Sequence, residues 1–205
     1  MSSLDEARRN LRERQGDGAR YDADHAPHAA LHLARLGTGY FARILNALSD
    51  EALYEPSAVA GRSRAEIMAD IAYHARALCR QLEAVAAGDL PQAMYPSDAA
   101  RLEEIELAGT LPPHALRYLF QHASIHLDVV WRDLSDEDWR REAPGIDTQP
   151  RALFDTPDEH AAMLWHGVID LRAGARRRDL PAAIKDNIET FSRFAAQPRK
   201  MKPFQ

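Results

Sequence analysis

Residues 63–88 read SRAEIMADIAYHARALCRQLEAVAAG, and this stretch decides the fold. Ser63 with Glu66 three residues on is a capping box, in which each side chain satisfies a backbone N–H that the first helical turn leaves unpaired. Ile67, Ile71, His74, Leu78, Leu82 and Val85 then recur at three- and four-residue steps on one stripe until Gly88, a residue suited to ending a helix. This is a long amphipathic helix, and its apolar stripe requires partners of the same kind.

Those partners lie on either side. Upstream, Leu33, Leu36, Tyr40, Ile44 and Leu48 give a helix over 29–49; downstream, Leu116, Phe120, Ala123, Leu127, Val130 and Leu134 give another over 114–134. A fourth opens at Thr156, Pro157, Asp158 and Glu159, which supply an N-cap, a proline at the first helical position and a capping-box glutamate. It ends near Gly174 and, being apolar around most of its circumference, is expected to be the most buried. Residues 88–113 carry Gly88, Pro91, Pro96, Gly109, Pro112 and Pro113, so they read as a long crossover with one short helix over 97–108. Residues 1–28 read as a mobile or loosely helical leader, and 182–205 as a terminal helix, over 182–196, and tail. Leu-Ser-Asp-Glu occurs at 48–51 and again at 134–137, which implies similar helix ends. No segment alternates with period two, and no glycine-rich phosphate loop occurs. The expected fold is an all-α four-helix bundle over 29–181 with its long crossover between the second and third helices.

Composition narrows the function. The 205 residues are 45% hydrophobic and 28% charged, proportions of a globular domain. Every apolar run is broken well before the roughly 18 residues of a spanning helix, and 1–20 is polar, so a cytoplasmic protein is expected. Twenty-six basic against 31 acidic residues leave a net charge of −5 and no electrostatic case for nucleic acid or an anionic membrane; the basic tail 199–202 is too short to change that. Cys79 is the sole cysteine, which excludes an internal disulfide and any cysteine-based zinc cluster, so a metal would need histidine and carboxylate ligands.

Several stretches carry a resemblance: Tyr54-Glu55-Pro56-Ser57, Gly61-Arg62-Ser63-Arg64, Met94-Tyr95-Pro96-Ser97 with Arg101 and Glu104-Ile105, the run from His126 to Leu134, and Asp170-Leu171 with Gly174. Together, over about 30–181, they resemble the mycothiol-dependent maleylpyruvate isomerase family of the DinB-like superfamily. The resemblance implies a DinB-like bundle. It also implies cis-trans isomerisation of maleylpyruvate to fumarylpyruvate by a low-molecular-weight thiol whose sulfur is activated by a divalent metal. Reversible thiolate addition to a double bond makes it rotatable. Family members often carry a small C-terminal α/β domain, for which the residues after Leu180 are too few.

The resemblance also implies a ligand triad, and there this chain departs from the pattern. The positions expected to hold His, Glu and His are Asp70, Met163 and Gly167; a one-residue shift puts His166 in the last place but Ala162 in the glutamate's. A divalent metal is therefore not expected, and Asp70 and His166 are the remaining weak candidates. Arg101, which the family pattern places near substrate, and Tyr95 are the expected substrate-binding residues for a small acidic molecule. Its competing reading is a surface salt bridge with Glu104 or Glu106.

Asp70 and His74, four apart, read either as a hydrogen-bonded pair at the core edge or as a general base with its orienting carboxylate. His122 and His126, stacked on the third helix, are as well explained structurally; His25, His28 and His32 could trap metal adventitiously. Two functions stand: a diverged isomerase or thiol transferase of this type, or a non-catalytic bundle that binds a small molecule or partner. Oligomeric state is open, a homodimer included.

Overall fold

The computed structural model describes residues 10, 13, 14 and 22–185. Five helices carry the architecture: α1 (His28–Ala47), α2 (Arg64–Ala86), α3 (Asp98–Ala108), α4 (Pro113–Asp133) and α5 (Thr156–Asp170), followed by a single turn, α6 (Ala182–Lys185). The expected terminal helix beyond Lys185 lies outside the described residues. α1, α2, α4 and α5 form the bundle, with α1 packed chiefly on α5 and α2 chiefly on α4, while α2 also meets α5. The crossover is as long as its prolines imply, and its helix α3 lies against α2.

Local signals set the helix starts. At α2 both arms of the capping box form: Ser63 N–H donates to Glu66 Oε2 at 2.7 Å, and Glu66 N–H to Ser63 Oγ at 3.2 Å. Ser97 caps α3 through Ala100 N–H at 3.1 Å. Both copies of Leu-Ser-Asp-Glu leave their helix through an extended leucine, Leu48 and Leu134, and each then enters a short 3-10 turn.

Three expectations need correction. Thr156 is not an N-cap; Asp155 occupies that position, and Thr156 Oγ1 donates to Leu153 O at 2.8 Å and accepts from Trp131 Nε1 at 3.1 Å. The helix ends at Asp170 rather than near Gly174, because Arg172 (φ 54°) and Gly174 (φ 92°) turn the chain away. α5 is enclosed as expected, with Asp158 its one exposed residue, and α2 is enclosed to a similar degree because α3 covers a side of it that a plain four-helix bundle would leave wet. Finally, Glu142–Pro144 and Pro150–Ala152 form an antiparallel hairpin, β1 and β2, whose three-residue strands are too short to show alternation.

Residues 22–27, assigned to the mobile leader, are tied down by Arg35 on Asp22 at 2.7 Å and by His25 on Asp136 at 2.8 Å. The main core cluster includes Phe41, Met68, Leu78, Leu127, Leu153 and Trp139, each such side chain contributing about 1.5–3 kcal/mol by leaving water, and a smaller cluster of Ala69, Ile105 and Ala108 lies between α2 and α3. Gly37 lets α1 approach α5: a Cβ there would sit 2.9 Å from Trp165 Nε1, which donates to Leu33 O at 3.1 Å. Cys79 is buried in this core, which pushes its thiol up to about 12, the behaviour of a structural residue.

Candidate functional site

Between α2 and α5 the bundle leaves a cavity of ≈ 70 Å³. On α5, Glu159, Ala162, Met163, His166, Gly167 and Asp170 line it; their three- and four-residue spacing makes them one face of the helix. On α2 the lining residues are Ile67, Asp70, Ile71 and His74, again one face. Val59 and Arg62 from the turn before α2, Arg101 from α3 and Ile146 from the hairpin loop complete the polar and apolar walls.

One end is a charge cluster. Asp70 Oδ1 accepts from Arg101 Nη2 at 2.5 Å, and Oδ2 from Arg62 Nη1 at 2.9 Å. All three side chains are buried or nearly so, a placement a lone charge could not sustain. Burial works against the charge on Arg101, but Asp70 overrides it and leaves its pKa above the ordinary value. Asp170, at the same end, is pushed up to about 6, mainly by burial, with Arg62 opposing and Asp70 reinforcing. Arg101 Nε is buried with no hydrogen-bond partner.

The expected substrate residues part company here. Arg101 lines the cavity and is not a surface ion pair with Glu104 or Glu106. Tyr95 does not line it; its buried ring lies behind the Arg101 guanidinium, 5.6 Å from Cζ to the centroid.

Asp70 and His74 are not hydrogen-bonded to each other. His74 Nδ1 faces His160 Nδ1 at 3.1 Å, with the rings parallel within 2°. Burial, then His160, Arg151 and Arg101, holds His74 well below the usual histidine range; burial alone takes His160 to about 3. Both rings are therefore neutral near pH 7, and one donates to the other. His160 carried no sequence signal, because its neighbours Ala161, Ala162 and Leu164 made this part of the helix read as plain core.

Three positions given to metal ligands by the resemblance, Asp70, Met163 and Gly167, all line this cavity. Asp70 has an arginine on each oxygen. Met163 offers a thioether, a weak ligand for a hard divalent ion. At Gly167 a Cβ would run into Ile71 Cδ1 and come within 3.1 Å of Phe41 Cε2, so packing has closed over the position. His166 lines the cavity too, its pKa lowered by burial and then by Arg177. Among the described residues no three His, Cys, Asp or Glu side chains converge as a metal cage. Of the remaining histidines, His25 pairs with Asp136 and His126 Nε2 with Glu83 Oε1 at 2.7 Å.

A helical bundle holding a small cavity with charged ends between two of its long helices has the architecture of a DinB-like fold. The description "Mycothiol maleylpyruvate isomerase N-terminal domain" matches residues 34–168. The chain belongs to that family. Two solved structures are similar to it, a mycothiol-dependent maleylpyruvate isomerase and a histidine-to-alanine variant of that enzyme. Each is 34% identical with a TM-score of 0.74, over 78% of this chain and 67% of the other. No protein of curated function matches.

Proposed function

We propose that this chain is a cytoplasmic, thiol-dependent isomerase of a small unsaturated carboxylate of the maleylpyruvate type, working without the divalent metal that the resemblance implies. No helix among the described residues is long and apolar enough to cross a membrane, in keeping with that location. The observation that carries the reading is the Arg62, Asp70 and Arg101 cluster at one end of an otherwise apolar cavity. The two guanidinium groups there face the Asp70 carboxylate and Asp170, whose pKa of about 6 leaves it ionised near pH 7, so this end gains a net positive charge as Asp170 takes a proton. The N–H groups that Asp70 leaves unused on the two guanidinium ends can take a substrate carboxylate.

A low-molecular-weight thiol, when bound, supplies a nucleophile that adds to and leaves the double bond. Ile67, Ile71, Ile146 and Met163 give the sulfur and the alkene an apolar wall that excludes water. Asp70 positions the two arginines, and Tyr95 backs Arg101. His74, neutral and fixed by His160, presents its other ring nitrogen as a hydrogen-bonding group for the reacting molecule. A divalent cation does not fit this donor set, because Asp70 is already neutralised by two cations and neither Met163 nor Gly167 replaces a charged or imidazole ligand.

Isomerisation of maleylpyruvate with mycothiol should survive a chelator, should be lost in His74→Ala, and the purified tag-free protein should contain no stoichiometric zinc. Activity abolished by chelation and restored by zinc would overturn the metal-free reading. Complete inactivity with every common thiol would leave a binding module instead. Arg101→Ala should weaken maleate binding about 30-fold or more in calorimetry, the order expected when a desolvated charge partner is removed; unchanged affinity would remove Arg101 from the substrate site.

A further inference from the structure

The opposite end of the cavity holds a carboxyl group that neither the fold nor the arginine cluster explains. Glu159 has the sequence position of a capping-box glutamate, yet the N-cap position of α5 is held by Asp155, and Glu159 turns into the cavity. Its Oε2 lies 3.1 Å from Arg151 Nε in an ion pair whose geometry makes no hydrogen bond. Arg151 is fixed from the other side, its Nη2 donating to Gln81 Oε1 at 2.7 Å, and its side chain is 9% exposed. The guanidinium thus supplies charge to Glu159 while leaving the carboxyl oxygens able to accept a proton.

The groups facing Glu159 come from every adjoining element: Arg151 on β2, Asp147 in the hairpin loop, Asp155 ahead of α5 and, across the cavity, His74 on α2 and Arg101 on α3. Burial is the largest influence and raises the carboxyl; Arg151 lowers it; Asp155 and Asp147 raise it further, to about 7. A carboxylate of that strength is matched to a thiol of pKa about 8.5, whereas an ordinary glutamate is some four units too acidic. His74 is poorly suited to the same task, since burial and two arginines oppose its taking a positive charge.

We propose that Glu159 is the proton-transfer residue of this cavity, taking the proton of a low-molecular-weight thiol and returning it when the sulfur departs, with Arg151 as its positioning residue. This rests on the isomerase reading above. In the forward step the S–H bond breaks and a carboxyl O–H forms; sulfur's electron pair makes the S–C bond, and the π pair moves onto the substrate's ketone oxygen. After rotation about the single bond that pair re-forms the double bond, the S–C bond breaks, and the Glu159 O–H returns its proton to sulfur. Nothing is consumed, as an isomerisation requires.

Two measurements test it. In protein labelled with ¹³C at glutamate carboxyls, the resonance lost in Glu159→Gln should titrate near pH 7 in wild type and move to higher pH in Arg151→Met; titration near 4.5, or no response to Arg151→Met, would overturn the proposal. In assays with maleylpyruvate and mycothiol across pH, Glu159→Gln should lose kcat by on the order of 10²–10⁴ with little change in KM, and should lose the acid limb that Glu159→Asp retains. An active wild type with Glu159→Gln within tenfold and its acid limb intact overturns this role alone. A wild type inactive with every thiol overturns the isomerase reading and this role with it.

Discussion

Replacing Asp70 by alanine should destabilise the fold by about 3–5 kcal/mol, as expected when one partner of a buried ion cluster is removed and the other charges remain. The variant leaves the Arg62 and Arg101 guanidinium groups side by side with no carboxylate between them, in side chains that are 12% and 10% exposed. Urea denaturation would measure the loss. Adding Arg62→Met to Asp70→Ala should recover part of it, and so should millimolar maleate, which can occupy the vacated position as a carboxylate. A cost under about 1 kcal/mol, with no response to maleate, would mean that solvent already screens the two arginines and that they form no anion site.

The second large effect is acid sensitivity that sets in abruptly below about pH 4.5. His160 is held at about 3 against an unfolded value of 6.5, so between those values the unfolded chain binds a proton that the folded chain refuses. Its contribution is complete above 6.5 and is lost as pH falls toward 3; His74 acts in the same direction. Glu159 (4.5 to about 7) and Asp170 (3.8 to about 6) have the opposite sign, because folding raises their affinity for protons, and their destabilisation is relieved as pH falls. From 6.5 to 4.5 the two effects offset each other. Below 4.5 Glu159 no longer offsets the histidines, and below 3.8 Asp170 no longer does, while carboxylates such as Asp22, whose hydrogen bonds from Arg35 hold it below its ordinary value, join them. Each such proton steepens the fall by about 1.4 kcal/mol per pH unit. His160→Gln should therefore lose one proton's worth of slope between pH 4.5 and 3 in denaturation curves, and equal slopes for the two proteins would refute the assignment.

The bundle was readable because helix periodicity and end signals are local. The stripe from Ile67 to Val85, the Ser63 and Glu66 box, the prolines around 88–113 and the twin Leu-Ser-Asp-Glu ends each depend on residues within one or two turns, and each takes the conformation its sequence implies. The same locality misled at the start of α5. Thr156 and Glu159 have the spacing of a capping box, but the buried Trp131 indole claims the threonine hydroxyl and Arg151 draws the glutamate into the cavity.

The site was legible only by residue type. The chain's own pattern, with the family resemblance beside it, pointed to Arg101, Asp70 and His74, and the structure brings all three to one cavity wall. Partnership was not legible. Asp70 is bound by arginines 8 and 31 residues away, and His74 by a histidine 86 residues away. Arg151 arrives on a hairpin whose strands are too short to leave a periodic trace. Helix formation is settled by the next few residues, so the sequence by itself determines it. Whether a buried charge becomes a clamp, a proton acceptor or an inert neutral ring is settled by burial and by the nearest charges, and in this protein tertiary packing, which brings distant segments within a few ångströms, supplies both.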